Sequence, residues 1–294
     1  MKGDTIKELL RKCNKVERLD VSLCPINDAD VFALSPSNSS LRVLNLEAWC
    51  DIFSPLQATT PRYLHNPHSN ITEKGLQHLC SIATSLEILN VANCTRLSGS
   101  SIEKVLTANK DRLQSLHTLN LDGIWTLNDT TIGNLLENVC PSVRYLNVAH
   151  SNGLSDRGLR FLSKLPLHSL AVGGCVFLTT RGLHALAASK FVRTPSLAHT
   201  TTRTTTTTVE DLWELSLDEL PQLTDLCLSA ILRGCKSLRS ISLCGCDSVG
   251  SVAGEALLSL GAQLNEVHIS KHTKLASYLD NTVTPSPTFT VLKR

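Results

Sequence analysis

Aromatic side chains are scarce: Phe, Trp and Tyr together make up 4% of the 294 residues, and there is a single Met. A core short of large rings has to be filled by Leu, Val, Ile and Ala, and a hydrophobic content of 42% is enough for that. Also missing is any run of 18 apolar residues, so no segment reads as a membrane-spanning helix. The N-terminal stretch MKGDTIKELLRKCNKVERL is amphipathic and charged, with neither an apolar h-region nor a small-residue cleavage site. No basic block stands out: 28 Lys and Arg are interspersed with 26 Asp and Glu, giving a net charge of +2 without the electrostatic footprint of a nucleic-acid binder. These absences predict a soluble cytoplasmic chain, with nuclear or cytoskeletal association left open and neither nucleic acid nor membrane as partner. In that setting an odd count of eleven cysteines argues against a disulfide framework. The Asn-x-Ser/Thr triplets at Asn38, Asn70, Asn93 and Asn128 are then chance matches.

Catalytic and ligand motifs are missing too. There is no G-x-x-x-x-G-K-S/T, no H-E-x-x-H, no G-x-S-x-G and no EF-hand loop, so the expectation is a non-enzymatic chain without cofactors. His65 and His68, near Cys50 and Asp51, have the most metal-like spacing, but Pro67 lies between them and no C-x-x-C partner exists. Cys244 and Cys246 alternate along a strand, which sends their thiols to opposite faces. No metal site is expected.

What is present is repetition. The pattern apolar-x-x-apolar-x-apolar begins at Val16, Leu41, Leu86, Leu116, Val143, Leu167, Leu212, Leu238 and Leu264, as in VERLDV, LRVLNL, LEILNV, LHTLNL and VRYLNV. The spacing lies near 26 residues except after Leu41 and Leu167, where it is 45. Eight residues after the first apolar position come Cys24, Cys94, Cys175 and Cys246, and three further on an apolar residue precedes a helical pattern. Cysteines in register with a repeat read as small, buried packing residues. A short strand of this kind buries its apolar face only by stacking parallel to its neighbours, with a helix returning the chain outside. Strands need about 4.8 Å of spacing and helices about 8–10 Å, so the stack curves with its strands inside.

The strings LEILNVANCTRLS and LHSLAVGGCVFLTTRGLHAL resemble the cysteine-containing leucine-rich repeats, best known from the substrate-binding arms of F-box proteins in ubiquitin ligases. The resemblance runs from about Asp4 to Leu275. It implies an α/β leucine-rich-repeat solenoid, a curved arc with parallel strands on the concave face and helices on the convex face. It also implies a scaffold that binds another protein, or alternatively the substrate-recognition subunit of an SCF-type ubiquitin ligase. The latter needs an F-box ahead of the repeats, and no room for one is seen here. The expected organisation is a solenoid of about nine repeats over residues 1–275, with rim insertions at 51–70 and 190–211, and a cap or flexible tail over 276–294. The chain opens inside a repeat, so a partner contact at its uncapped N-terminal end is also expected.

On the concave face, outward strand positions and their flanks nominate Glu47, Asn90, Asn120, Asp122, Tyr145, Asn147, His150, Glu214, Asp218 and His268 as partner-binding residues. Tyr145 is the anchor, since buried tyrosines dominate interface energies. Asn45, Asn90, Asn120 and Asn147 share one slot in consecutive repeats and are expected to stack as a ladder, each amide bonding the next. Trp49, Trp125 and Trp213 sit at or near turns and read as packing for their own repeats.

Overall fold

The computed structural model describes residues 3–13, 15–22, 24–35, 41–47, 69–83, 85–189, 212–260, 263–282 and 289–293. The insertion expected at 51–70 lies outside these apart from Ser69 and Asn70, and that at 190–211 lies wholly outside, as do Trp49, Cys50, Asp51, His65 and His68. The chain divides into two compact units, residues 1–127 with 134–148, and residues 128–133 with 149–294.

In chain order the first unit holds α1 (Gly3–Lys12), β1 (Arg18–Asp20), β2 (Ile26–Asn27), α2 (Asp28–Val31), β3 (Val43–Asn45), β4 (Ser69–Asn70), α3 (Glu73–Ile82), β5 (Ile88–Asn90), α4 (Gly99–Ala108) and β6 (Thr118–Asn120). Helix α5 (Asp129–Asn134), which but for Asn134 belongs to the second unit, follows in the chain, and β7 (Tyr145–Asn147) closes the first. Strands β1, β3, β5, β6 and β7 pair in that order, all parallel, with Leu19, Leu44, Leu89, Leu119 and Leu146 in one register line. These five leucines are buried, while the residues flanking each of them point outward. β2 pairs with β4, in parallel, where the chain turns toward its helices.

The second unit contains α6 (Asp156–Leu162), β8 (Ser169–Ala171), α7 (Thr180–Ser189), β9 (Glu214–Ser216), α8 (Asp225–Gly234), β10 (Ser240–Ser242), α9 (Ser251–Leu260), β11 (Glu266–Ile269), α10 (Lys274–Asn281) and β12 (Thr290–Lys293). Its strands pair in parallel in chain order, β8 to β12, around buried Leu170, Leu215, Ile241 and Val267. The helices α6 to α10 pack each on the next. Residues 276–294 thus include most of α10 and the strand β12, which extends the sheet past β11. Both units have the repeating α/β coil of a solenoid, a strand and a helix in every turn.

Two departures from the 26-residue period fall on the helical half of the coil. Between Leu116 and Val143 the chain is one residue longer, and Leu135–Val139 forms a π-helical turn that absorbs it. Between Leu86 and Leu116 the additional residues include a 3₁₀ turn, Lys110–Arg112. The strand half cannot stretch in this way, because its register with the neighbouring coil fixes it.

A second link between coils was not apparent from the sequence. Asp28, Asp129 and Asp156 are each the first residue of a helix, and each carboxylate accepts two bonds from the cap residue of the next coil. Asp28 takes the N–H and hydroxyl of Thr72 at 2.8 and 2.5 Å. Asp129 takes those of Ser155 at 2.9 and 2.5 Å, and Asp156 those of Thr179 at 2.8 and 2.6 Å. Asp225 likewise accepts from the Gly250 N–H at 2.6 Å. Three residues after each Ser or Thr stands Gly75, Gly158 or Gly182, where a Cβ would overlap the same Asp carboxylate. The strings TEKGL, SDRGL and TTRGL therefore record a steric need imposed by the coil before them.

The cysteine slot has its own bond. Cys94 donates its S–H to the Leu46 carbonyl at 3.2 Å, and Cys246 to the Leu217 carbonyl at 3.1 Å, in each case a carbonyl of the preceding coil. Cys94, Cys175 and Cys246 are buried, as that packing role requires, whereas Cys24 is half-buried. Ser151 occupies the same slot, eight residues after Val143. It is fully buried and its Oγ has no hydrogen-bond partner among the described residues.

Two outcomes follow for stability. Asp156→Ala leaves the Thr179 donors without their acceptor and should lower the unfolding free energy by about 1–3 kcal/mol in urea titration, and Gly182→Ala should do likewise by displacing the carboxylate. Ser151→Cys should raise it by about 1 kcal/mol, because a buried hydroxyl lacking a partner is replaced by the thiol that the slot accommodates elsewhere.

Candidate functional site

The outward side chains of the strands form the candidate surface. In the first unit, Ile88, Thr118 and Tyr145 lie in one register line and Asn90, Asn120 and Asn147 in the next. The asparagine slot does stack, but its amides are not wired as a ladder. Asn45, Asn90 and Asn120 each turn Oδ1 onto the backbone N–H two residues ahead, on Glu47, Ala92 and Asp122, at 3.2, 3.0 and 3.1 Å. The Nδ2 of Asn90 donates to Glu47 Oε2 in the preceding coil at 3.0 Å. A local turn closes at less entropic expense than an amide chain across coils, so the backbone takes the carbonyl and an acid of the coil before takes an amino group. Asp20 follows the same rule from the first slot. Ser22, through its hydroxyl and then its N–H, holds the Asp20 carboxyl below its ordinary 3.8, and Asn45 adds to this.

Glu47, Asn90, Asn120, Asp122, Tyr145 and Asn147 are therefore gathered on one face of the first unit, all half-buried. The ring of His117 meets Tyr145 edge-on, with centroids 6.3 Å apart. Such a contact limits the ring's freedom, so less is lost when a partner covers it. Trp125, read from the sequence as packing for its own repeat, is 59% exposed at the turn after β6.

His150, Glu214, Asp218 and His268 belong to the second unit. Asp218 is fixed by three donors, the hydroxyls of Ser216 and Ser242 at 3.1 and 2.6 Å and the Cys244 N–H at 2.7 Å. His268 Nε2 lies 3.4 Å from Glu266 Oε2. His150 faces Glu219, a residue the sequence did not single out, with Nε2 to Oε2 at 3.8 Å.

That last pair depends on an alternation in the turns after the strands. Asn93, Gly123, His150, Gly174, Glu219 and Gly245 hold the same turn position in successive coils, and all have positive φ, from 54° to 71°. A side chain at this position lies over the next coil. A Cβ on Gly174 would overlap the His150 ring, and one on Gly123 would overlap Asn93. Glycine must therefore follow each side chain. For His and especially Glu, left-handed backbone is strained by about 1 kcal/mol or more.

No group of three or more His, Cys, Asp or Glu among the described residues is placed to hold a metal ion. No described helix is long and apolar enough to cross a membrane. None of the ten described cysteines is in a disulfide. Cys246 points into the core and Cys244 is half-buried on the strand face.

These coils define a class, the repeat solenoids that present a strand face and a helix face. A leucine-rich-repeat family model matches residues 12–35 and 139–163. Two solved structures share the fold. A chain of the yeast Rad7–Elc1 complex aligns with a TM-score of 0.59 at 18% identity, over 99% of this chain and 78% of that one. The leucine-rich-repeat-containing protein LegL7 from Legionella pneumophila aligns with a TM-score of 0.54 at 14% identity, over 99% and 87%. The chain therefore has the fold of a leucine-rich-repeat solenoid.

Burial also gives the thiols a measurable signature. Cys80, Cys140 and Cys246 are pushed up to about 12 by burial, against 9.0 for an ordinary thiol. An unfolded chain releases these protons above pH 9 while the folded one keeps them, so their contribution to stability is complete below pH 9 and is lost between 9 and 12. Urea midpoints measured from pH 7 upward should fall steeply past pH 9, and less steeply in Cys80→Ala/Cys140→Ala.

Proposed function

We propose that the protein is a non-catalytic scaffold that holds a partner protein on the strand face of its first unit, centred on Tyr145, Asp122 and Asn147. The reading is carried by one observation. Strands β5, β6 and β7 set Ile88, Thr118 and Tyr145 beside Asn90, Asn120 and Asn147 in unbroken register. This gives a strip of apolar and aromatic contact bordered by amides and by the acids Glu47 and Asp122, the mixture found in protein interfaces. Turn bonds hold several of these side chains, which reduces the ordering needed on binding. A chain of similar fold was crystallised as part of the Rad7–Elc1 complex, which supports a partner protein for this one.

The cysteine slot filled by Cys94, Cys175 and Cys246 favours a second reading, a substrate-recognition subunit of an SCF-type ubiquitin ligase. Ligase components co-purifying with the full-length protein would support it; their consistent absence would leave the scaffold reading alone.

With a partner identified by affinity purification, Tyr145→Ala/Asp122→Ala should weaken its binding at least about tenfold, the size expected when an aromatic anchor is lost. The thermal midpoint should stay close to that of the parent. Unchanged affinity in the folded double variant removes this face from the mechanism.

A further inference from the structure

The strand face of the second unit has a different chemistry. Its outward positions on β8 to β11, with the position two beyond each pair, are Ser, Ala and Gly, then Glu214, Ser216 and Asp218, then Ser, Ser and Cys, then Glu266, His268 and Ser. Three carboxylates stand here among small side chains, without a Lys or Arg. Asp218 is tied into the floor by its three donors, so its charge has a fixed place. Glu214 and Glu219 stand exposed on the same coil, Glu219 in the strained turn next to the face.

An independent feature adjoins it. Past Gly174 the chain runs into Val176 and Phe177, which are 53% and 61% exposed, and on the next two coils Leu226 and Val252 are 70% and 50% exposed. Val176 and Phe177 lie in the turn after β8, and Leu226 and Val252 in the first turns of α8 and α9. The rims of these coils abut: the Cys227 thiol donates to the Thr180 carbonyl at 3.7 Å, the Ser248 hydroxyl to the Pro221 carbonyl at 3.3 Å, and the Gly250 N–H to Asp225 at 2.6 Å. An exposed apolar ridge of this kind marks an interaction surface. It borders an anionic face floored by small residues, where an extended chain can approach closely.

We infer that the strand face of β8 to β11, together with the Val176–Phe177–Leu226–Val252 rim, binds a basic segment of a partner protein that carries apolar residues beside its Lys or Arg. Charge complementarity selects the occupant: the outward strand positions hold carboxylates and no Lys or Arg, so they attract a basic chain, and the rim takes its apolar side chains. The inference builds on the scaffold reading but assigns it a second face and a partner chemistry.

The test uses the full-length protein and a short fluorescent peptide alternating Arg with Leu, against a control peptide alternating Glu with Leu. The basic peptide should bind at least about tenfold more tightly, with affinity falling as salt rises. Glu214→Gln and Glu219→Asn should each weaken it about fivefold, and Phe177→Ser about tenfold, the last persisting at high salt. The left-handed turn accepts Asn at Glu219 as it does at Asn93, so that variant should remain as stable as the parent. Glu255→Gln, exposed on α9, serves as control and should change nothing. Equal binding of both peptides, or equal loss with Glu255→Gln, overturns the inference. So does concentration-dependent self-association abolished by Phe177→Ser, since a second copy would then own the ridge. Tyr145→Ala/Asp122→Ala should leave peptide binding intact, so the two faces succeed or fail separately.

Discussion

A strand of three residues cannot satisfy itself. It has too few backbone groups to form a ladder and only one central side chain to bury, so each coil depends on the coils beside it. Every other regularity answers that dependence. The central leucines stack because parallel pairing fixes their register. Cys94 and Cys246 donate across to carbonyls of the preceding coil. Asp28, Asp129 and Asp156 secure the helix start of the coil that follows. Side chains and backbone alike are directed at a neighbour one coil away.

The aspartate links show how one residue type constrains another far along the chain. The carboxylate that holds Thr179 also fills the space in which a side chain on Gly182 would stand. The same carboxylate thereby selects a hydroxyl at one position and glycine three residues later. Read within its own repeat, SDRGL looks like an ordinary cap followed by a helix. Its glycine makes sense only when the preceding coil is set beside it.

This explains what the sequence made legible. Repeat starts, strand and helix alternation, the burial of the cysteine slot and the outward face all follow from spacing, since periodicity determines which side a residue faces. Whom a polar side chain bonds is decided at closer range. Asn45, Asn90 and Asn120 line up as aligned slots indicate, yet their carbonyls bond the backbone two residues on. Glu219 went unnoticed because its significance lies in a left-handed backbone and in the ring of His150, neither of which spacing reports. The division of the candidate residues between two units, Glu47 to Asn147 in the first and His150 to His268 in the second, likewise emerged only from the fold.

The turn alternation gives the coils a hidden pairing. A side chain and a glycine meet within each pair, Asn93 with Gly123, His150 with Gly174 and Glu219 with Gly245, so adjacent coils are not equivalent although their strands look interchangeable. Duplication or loss of one coil would bring two side chains, or two glycines, into succession and spoil the seam. Exchange in pairs would preserve it. Lineages carrying this seam should therefore grow and shrink by doublets.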